Sequence, residues 1–278
     1  MKLFCFGLGY TAKHLTNELS PASWHFSGTH TSQGDICFNG KEPLNNPVEH
    51  LKDCTHLLIS IPPNPEKIDP VLFHHKADIN SMPNLKWIGY LSTTGVYGDH
   101  KGAWVDESSQ TKPTTQRSKL RLEAEKQWLT LEKPVHIFRL GGIYGPKRNQ
   151  INAILKGTAK KIIKEDHLFS RIHVDDICSA LMSSMDRPSA QKIYNLVDDN
   201  PAASCDVLDF LCAELNLPQL NPTEINDPAI SPGLRSFYQD NKRVKNSLIK
   251  HDLNWNPHYP SYKEGYRDIL TKLNKSAS

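Results

Sequence analysis

The chain has 278 residues, 38% of them hydrophobic and 23% charged, enough to bury one large core or a core with a smaller lobe. Its 33 basic and 30 acidic residues leave a formal charge of +3 with no Lys/Arg block beyond pairs such as Lys160 and Lys161, which argues against nucleic acid as a partner. The six cysteines (Cys5, Cys37, Cys54, Cys178, Cys205, Cys212) form no CxxC pair, no segment reaches the length of a membrane span, and the apolar run in "MKLFCFGLGY" is too short for a signal peptide, so a cytoplasmic protein without zinc, disulfides or membrane contact is expected.

The opening reads as a strand, "KLFCF", a turn, "GLGYTA", and a helix, "KHLTNEL". That order is a dinucleotide-binding unit with GxGxxA spacing at Gly7, Gly9 and Ala12. Gly7 permits the tight turn, Gly9 clears the approach of a pyrophosphate, and Ala12 lets helix and strand pack closely. Tyr10 and Thr11 open the helix whose free N–H groups would face the anion. Glycines that merely end a strand are the competing structural reading. The second strand, "WHFSGTH", leads into Gly28, Thr29, His30 and Thr31, where a carboxylate would select NAD and an arginine NADP. With no acid to repel a phosphate, and with Thr29 and His30 available, NADP is slightly favoured.

"DICFNG" follows too closely for a crossover helix, so a third strand is expected after a bare loop, with Asn39 at its end against the adenine. A fourth strand, "THLLISIPP", ends in Ser60, Pro62 and Pro63, and a fifth, "LKWIGYLSTTGVYG", in Ser92, Thr93 and Thr94. "PVHIFRLGGIYGP" makes a sixth and "KIYNLVDD" a seventh. Continuous apolar strands alternating with helical segments such as "DPVLFHHKADI" predict an α/β fold: a Rossmann-type doubly wound parallel sheet with a small C-terminal substrate lobe. Residues 1–145 read as the NAD(P)-binding core, and 146–278 as the remaining core elements (about 168–198) plus that lobe.

The pieces "STTGVYG", "RLGGIYGP", "SRIHVDDI", "YNLVDD" and "KRVKN" stand in the order and approximate spacing of the extended short-chain dehydrogenase/reductase superfamily, the NAD-dependent epimerase/dehydratases. The chain resembles that family over nearly its whole length. Through "GLGYTA", "SIPP", "GVYGDHKGAWVDE" and "RIHVDDI" it is most similar to the atypical, YeeZ-like subgroup. The resemblance implies NAD(P) and a small, sugar-like substrate. It also implies a Ser/Thr, Tyr and Lys set in which the phenolate takes a hydroxyl proton as hydride leaves. It puts the Ser/Thr role on Thr93. The YxxxK element should lie in "PTTQRSKLRLEAE", and no register supplies its tyrosine. Lys119 as the family lysine, holding the cofactor ribose, leaves Thr115 in the tyrosine place; Arg121 in that role leaves Arg117 there, and a guanidinium does not replace an ammonium freely. The acidic pair of the sugar dehydratases is replaced by Thr94 and Gly95, so dehydration of nucleotide sugars is not expected.

Tyr97 and Tyr144 are the candidate replacement acids, against a reading as rings that line the pocket or anchor loops. Asp99, His100, Asp106 and Glu107 have the chemistry for acid/base work but read more simply as a solvated loop, and His173, Asp175 and Asp176 as capping and ion-pairing groups rather than metal ligands. The resemblance makes Arg171 face the lobe that holds an anionic substrate, with Asn149, Arg235, Tyr238 and Arg243 as further candidate contacts. Leu120, Ala124, Trp128 and Leu129 form a helical stripe read as core, and second as a homodimer face. Two functions follow: an NAD(P)-dependent oxidoreductase or epimerase with a catalytic set modified around Thr93, or a non-catalytic NADP(H)-sensing or regulatory protein.

Overall fold

The computed structural model describes residues 1–32 and 34–277. In chain order the first half runs β1 (Lys2–Phe6), α1 (Tyr10–Glu18), β2 (His25–Gly28), α2 (Pro47–Leu51), β3 (His56–Ile59), α3 (Pro70–Asn80), β4 (Trp87–Thr93), a 3-10 turn (Thr94–Tyr97), β5 (Trp104–Val105) and α4 (Gln116–Trp128). There follow β6 (Val135–Leu140), β7 (Gly142–Tyr144), α5 (Ile151–Leu155), β8 (Lys161–Ile163), β9 (Arg171–His173), α6 (Val174–Asp186) and β10 (Lys192–Leu196). The last stretch holds α7 (Ser204–Glu214), β11 (Pro222–Glu224), α8 (Pro232–Ser236), β12 (Arg243–Val244), α9 (Ser247–Leu253) and α10 (Tyr262–Ala277).

Six strands form one parallel sheet in the order β10-β6-β4-β3-β1-β2. Its strands are apolar throughout because both faces are covered. Leu3 and Cys5 of β1, Leu58 of β3 and Phe138 of β6 pack with Leu15, Ile177 and Leu181 on one face. Their neighbours Phe4, Phe6, Leu57, Ile59 and Ile137 pack with Val71, Ala124 and Trp128 on the other. The period of two along each strand thus feeds two cores. The chain leaves β1 for β2 on one side and returns to β3 on the other, so the carboxyl ends of β1 and β3 frame the crevice where such sheets hold ligands. No helix among the described residues is long and apolar enough to cross a membrane.

The strand expected over "DICFNG" does not join this sheet. One parallel bridge pairs His30 with Cys37, and Phe38 turns its ring into the core, 5.6 Å from Phe6. The loop is held by that anchor instead of by a ladder.

Three two-stranded parallel pairs, β5-β12, β7-β9 and β8-β11, tie the later segments to the carboxyl edge of the sheet. A separate buried cluster outside the two faces of the sheet brings Ile151, Ile154, Val207, Leu211 and Tyr266 together with Tyr144. Helix α4 is fixed from outside itself. Asp69 caps α3 by accepting from the Val71 and Leu72 N–H groups at 3.0 Å, and its other oxygen accepts from the Trp128 indole at 2.8 Å. One buried carboxylate therefore sets the rotation of α4 about its axis, as well as the start of α3. Ala124 and Trp128 lie in the core, with Leu120 and Leu129 half-buried beside them.

Candidate functional site

At the end of β1, Gly7 adopts φ +93°, and a Cβ there would lie 2.6 Å from the Ile61 side chain, so the turn admits no larger residue. In front of Gly9 the nearest neighbour of such a Cβ is the Ser60 hydroxyl at 4.0 Å, leaving the mouth of the turn open. Helix α1 begins behind it with no side-chain cap, and Ala12 is fully buried where helix meets strand, with Thr11 almost so. Free N–H groups at an open helix start are what a pyrophosphate needs. Ser60 and Pro62 stand on the facing strand end, half-buried and exposed respectively.

Thr29 departs from its expected role. It is buried, and its hydroxyl accepts from the Gly7 N–H at 2.9 Å while its carbonyl accepts from the Leu8 N–H. It shapes the turn from behind, which leaves half-buried His30 and exposed Thr31 at the strand end. Asn39 is exposed, and its side chain accepts from the Lys41 N–H at 2.8 Å, closing a local turn.

Beyond the carboxyl ends of β4 and β6 lies a cleft of about 790 Å³, bounded by the start of α4 and by the lobe. Thr93 lines it and caps the 3-10 turn, accepting from the Gly95 N–H at 3.1 Å. Thr115 is the N-cap of α4, its hydroxyl bonded to Ser118, so it is committed to the helix start. Lys119 is exposed and outside the cleft, against its expected place at the ribose. The pair that does line the cleft, one turn apart on α4, is Arg117 and Arg121. Arg121 donates from one terminal nitrogen to the Leu91 carbonyl at 2.9 Å and the Tyr90 hydroxyl at 3.2 Å.

Neither candidate tyrosine offers a hydroxyl to the cleft. Tyr97 is fully buried beneath it, donates to Asn195 at 2.7 Å and accepts from Arg139 at 3.1 Å; burial pushes its phenol up to about 12. Tyr144 lines the cleft with its ring, stacked 5.1 Å from Tyr266, while its hydroxyl points to the Ser261 carbonyl at 3.4 Å and burial raises its pKa further. The motifs carry both residues to the right edge of the sheet, and distant partners then turn them into the protein. His100 holds the Tyr97 loop through backbone carbonyls, Asp106 accepts from Ser108 and Ser109, and Glu107 accepts from the Asn195 N–H at 2.7 Å. His173 caps α6 by accepting from the Asp175 N–H, and Asp176 accepts from the His258 and Tyr259 N–H groups.

The remaining candidates divide. Arg171 and Tyr238 line the cleft; Arg171 also donates to the Phe169 and Ala202 carbonyls at 3.0 and 2.8 Å. Asn149 lines it too, but both ends of its amide serve its own loop, at Gly145 and Ile151. Arg235 lies outside, where it donates to the carbonyls of Ile225, Asn226 and Asp227 and staples that segment. Arg243 lies on β12, opposite Trp104 of β5, and is also outside. Two cleft residues that sequence reasoning missed are Arg148, over the Tyr10 ring at 5.6 Å, and Lys242. Burial lowers the Lys242 pKa, with Asp240 and Asp99 pulling the other way.

No family model matches the sequence. Over 224 residues, 70% of this chain and 77% of the relative, it is 26% identical to Protein YeeZ of Escherichia coli strain K12. A solved structure of a functionally unknown conserved protein from Silicibacter pomeroyi DSS is 39% identical, with 98% of each chain covered and a TM-score of 0.90. The chain belongs to one family with that Silicibacter pomeroyi protein and is similar to Protein YeeZ. A human epimerase family protein solved with NADPH is 15% identical over 98% of this chain and 99% of its own, with a TM-score of 0.80, and shares the fold. The chain thus carries a Rossmann-like α/β fold that matches solved epimerase structures. Within it, Arg117 and Arg121 occupy the cleft-facing turn of α4, the places that one register of the resemblance gives to a tyrosine and a lysine.

Proposed function

We propose that the chain binds NAD(P) at the Gly7–Gly9 turn and works as an oxidoreductase or epimerase on a small polar substrate held between Thr93 and the C-terminal lobe. The observation that carries this reading is convergence on one cleft. Thr93 and Thr94 end β4, Arg121 reaches in from α4, and the Gly141–Asn149 segment completes the wall; that segment also accepts from Tyr10, the first residue of α1, through the Pro146 carbonyl at 2.9 Å. A second ligand in the cleft would sit next to a dinucleotide on the turn. NADPH is the slightly favoured cofactor because no carboxylate stands at the end of β2, where His30 and Thr31 remain. The human epimerase family protein solved with NADPH supports the cofactor class through its fold.

A sensing or regulatory role is the second reading, favoured by one specific observation: the hydroxyls of the two candidate acids, Tyr97 and Tyr144, are engaged by Asn195 and Ser261. The two readings separate in a single experiment. Protein is titrated with NADPH and with NADH by fluorescence, then mixed with sugars, sugar acids, ketones and aldehydes while nicotinamide absorbance is followed. Turnover supports the enzyme, tight binding without oxidation supports the sensor, and binding of neither NADPH nor NADH in the same titration sinks both.

A further inference from the structure

The cleft is electrically one-sided. Arg117, Arg121, Arg148, Arg171 and Lys242 line it against a single carboxylate, Asp240, which already accepts from the Thr114 hydroxyl at 2.7 Å. Among the described residues none of these five cations forms an ion pair. Some cations elsewhere are paired, as in Lys161 with Asp209 at 2.7 Å and Arg267 with Glu214 at 2.9 Å. Five cations gathered in a cleft with few counter-charges, Asp240 and Asp99 acting on Lys242 and buried Asp198 on Arg171, repel one another, and an anionic ligand relieves that repulsion.

Two of the five are also held ready. The bonds from Arg121 to the Leu91 carbonyl and Tyr90 hydroxyl use one of its terminal nitrogens, which fixes the guanidinium and leaves its other donors unspent. Arg117 lies over the ring of Phe237, 5.2 Å from its centroid, a contact that orients the group without consuming an N–H. Phe237 is 52% exposed at the cleft, so the stacked pair is open to an incoming ligand.

We propose that Arg117 and Arg121 form a fork for an oxyanion, a carboxylate or a phosphate, carried by the substrate and held beside Thr93. The proposal rests on the reading of this cleft as the substrate site. The α4 turn then serves recognition of charge, since a guanidinium stays protonated over the working pH range and gives up no proton. Paired N–H donors match two oxygens of one anion, which a neutral sugar lacks.

The test is calorimetry with inorganic phosphate, D-gluconate, D-glucose 6-phosphate and neutral D-glucose, on cofactor-free and on NADPH-saturated protein. The anions are expected to bind in both states and glucose in neither, with the gluconate and phosphate arms distinguishing the two oxyanions. Arg117→Gln and Arg121→Gln should each weaken anion binding by about tenfold or more, with NADPH affinity within about threefold of the wild type. Arg121→Lys should keep more of the phosphate affinity than of the gluconate affinity, because an ammonium is a point charge and not a fork. Should Arg121→Gln fail to fold, Arg117→Gln carries the test from an exposed position. Anion affinity unchanged in folded Arg117→Gln, or absent from the wild type in both states, overturns the fork and leaves cofactor binding standing. Arginine-dependent anion binding without any NADPH binding supports the fork and overturns the cofactor reading instead.

Discussion

Glu125 and Arg139 meet at 2.8 Å beneath the cleft, with side chains 1% and 5% exposed. Glu125 also accepts from the Ser92 hydroxyl, and Arg139 donates onward to Tyr97. The pair thus ties α4 to the carboxyl ends of β4 and β6, directly behind Thr93. Removing one partner strands the other's charge in the core. Glu125→Ala or Arg139→Ala should therefore cost about 3–5 kcal/mol, read as a shift in urea midpoint. A loss below about 1 kcal/mol would mean that water reaches the site.

Tyr97→Phe and Tyr144→Phe should part company in stability. The first leaves the Asn195 side-chain carbonyl and one Arg139 N–H without their Tyr97 partner in the core and should cost about 1–3 kcal/mol. The second gives up one 3.4 Å contact and should cost less than about 1 kcal/mol. If turnover is found, neither hydroxyl should be essential to it once the loss of folded protein is corrected for. Abolished turnover in a fully folded Tyr144→Phe variant would restore that residue as the acid.

Gly265 gives an independent check on where Tyr144 points. A Cβ on Gly265 would lie 2.2 Å from the Tyr144 hydroxyl oxygen and 2.8 Å from its ring. Gly265→Ala should destabilise the protein, and Tyr144→Phe in the same chain should recover part of the loss. Strict additivity in thermal unfolding would show that the ring is oriented differently.

His136 supplies a pH signature. It is fully buried between Ser184 (2.6 Å) and Ser189 (3.2 Å), and burial pushes it down to about 4 from an ordinary value of 6.5. Below about 6.5 the unfolded chain binds a proton that the folded chain refuses. Its contribution to stability therefore falls as pH drops from about 6.5 towards about 4, and is level above that window. Asp176, raised by burial to about 6, acts in the opposite sense between 3.8 and that value. His136→Gln should flatten the acid slope of the urea midpoint relative to the wild type; an unchanged slope would place the ring's titration elsewhere.

Replacing Gly9 with Asp would set a carboxylate against the mouth of the glycine turn, where only the Ser60 hydroxyl stands at 4.0 Å from a Cβ. Folding should survive, since the position is exposed, and NADPH binding should fall by more than about a hundredfold. Unchanged affinity in the folded variant would move the cofactor elsewhere.

Local pattern carried most of the architecture. "KLFCF" followed by "GLGYTA" announced β1, the turn and α1, because strand, glycines and helix start are neighbours in the chain. The cleft was less legible for the opposite reason. In "PTTQRSKLRLEAE" two registers two residues apart compete, and the choice between Lys119 and Arg121 depends on Thr115 capping α4 and on Trp128 reaching Asp69, 59 residues away. Tyr97 is withdrawn by Asn195, 98 residues further on. Arg148 and Lys242 sit in unremarkable loops, and only the folded chain carries them to the same wall. The spacing of Arg117 and Arg121 was itself a readable signal, once both are counted as one face of a helix.

Tyr10 belongs to two walls at once. It is the first residue of α1 behind the glycine turn, yet its hydroxyl donates to Pro146 at 2.9 Å and Arg148 lies over its ring. A dinucleotide that presses on this ring would also reposition the loop that closes the neighbouring cleft. The two ligands would then report on each other: whatever factor the first gains for the second, the second must return to the first. Measuring each affinity with the other ligand saturating gives that factor twice over, and Tyr10→Ala should bring it to one.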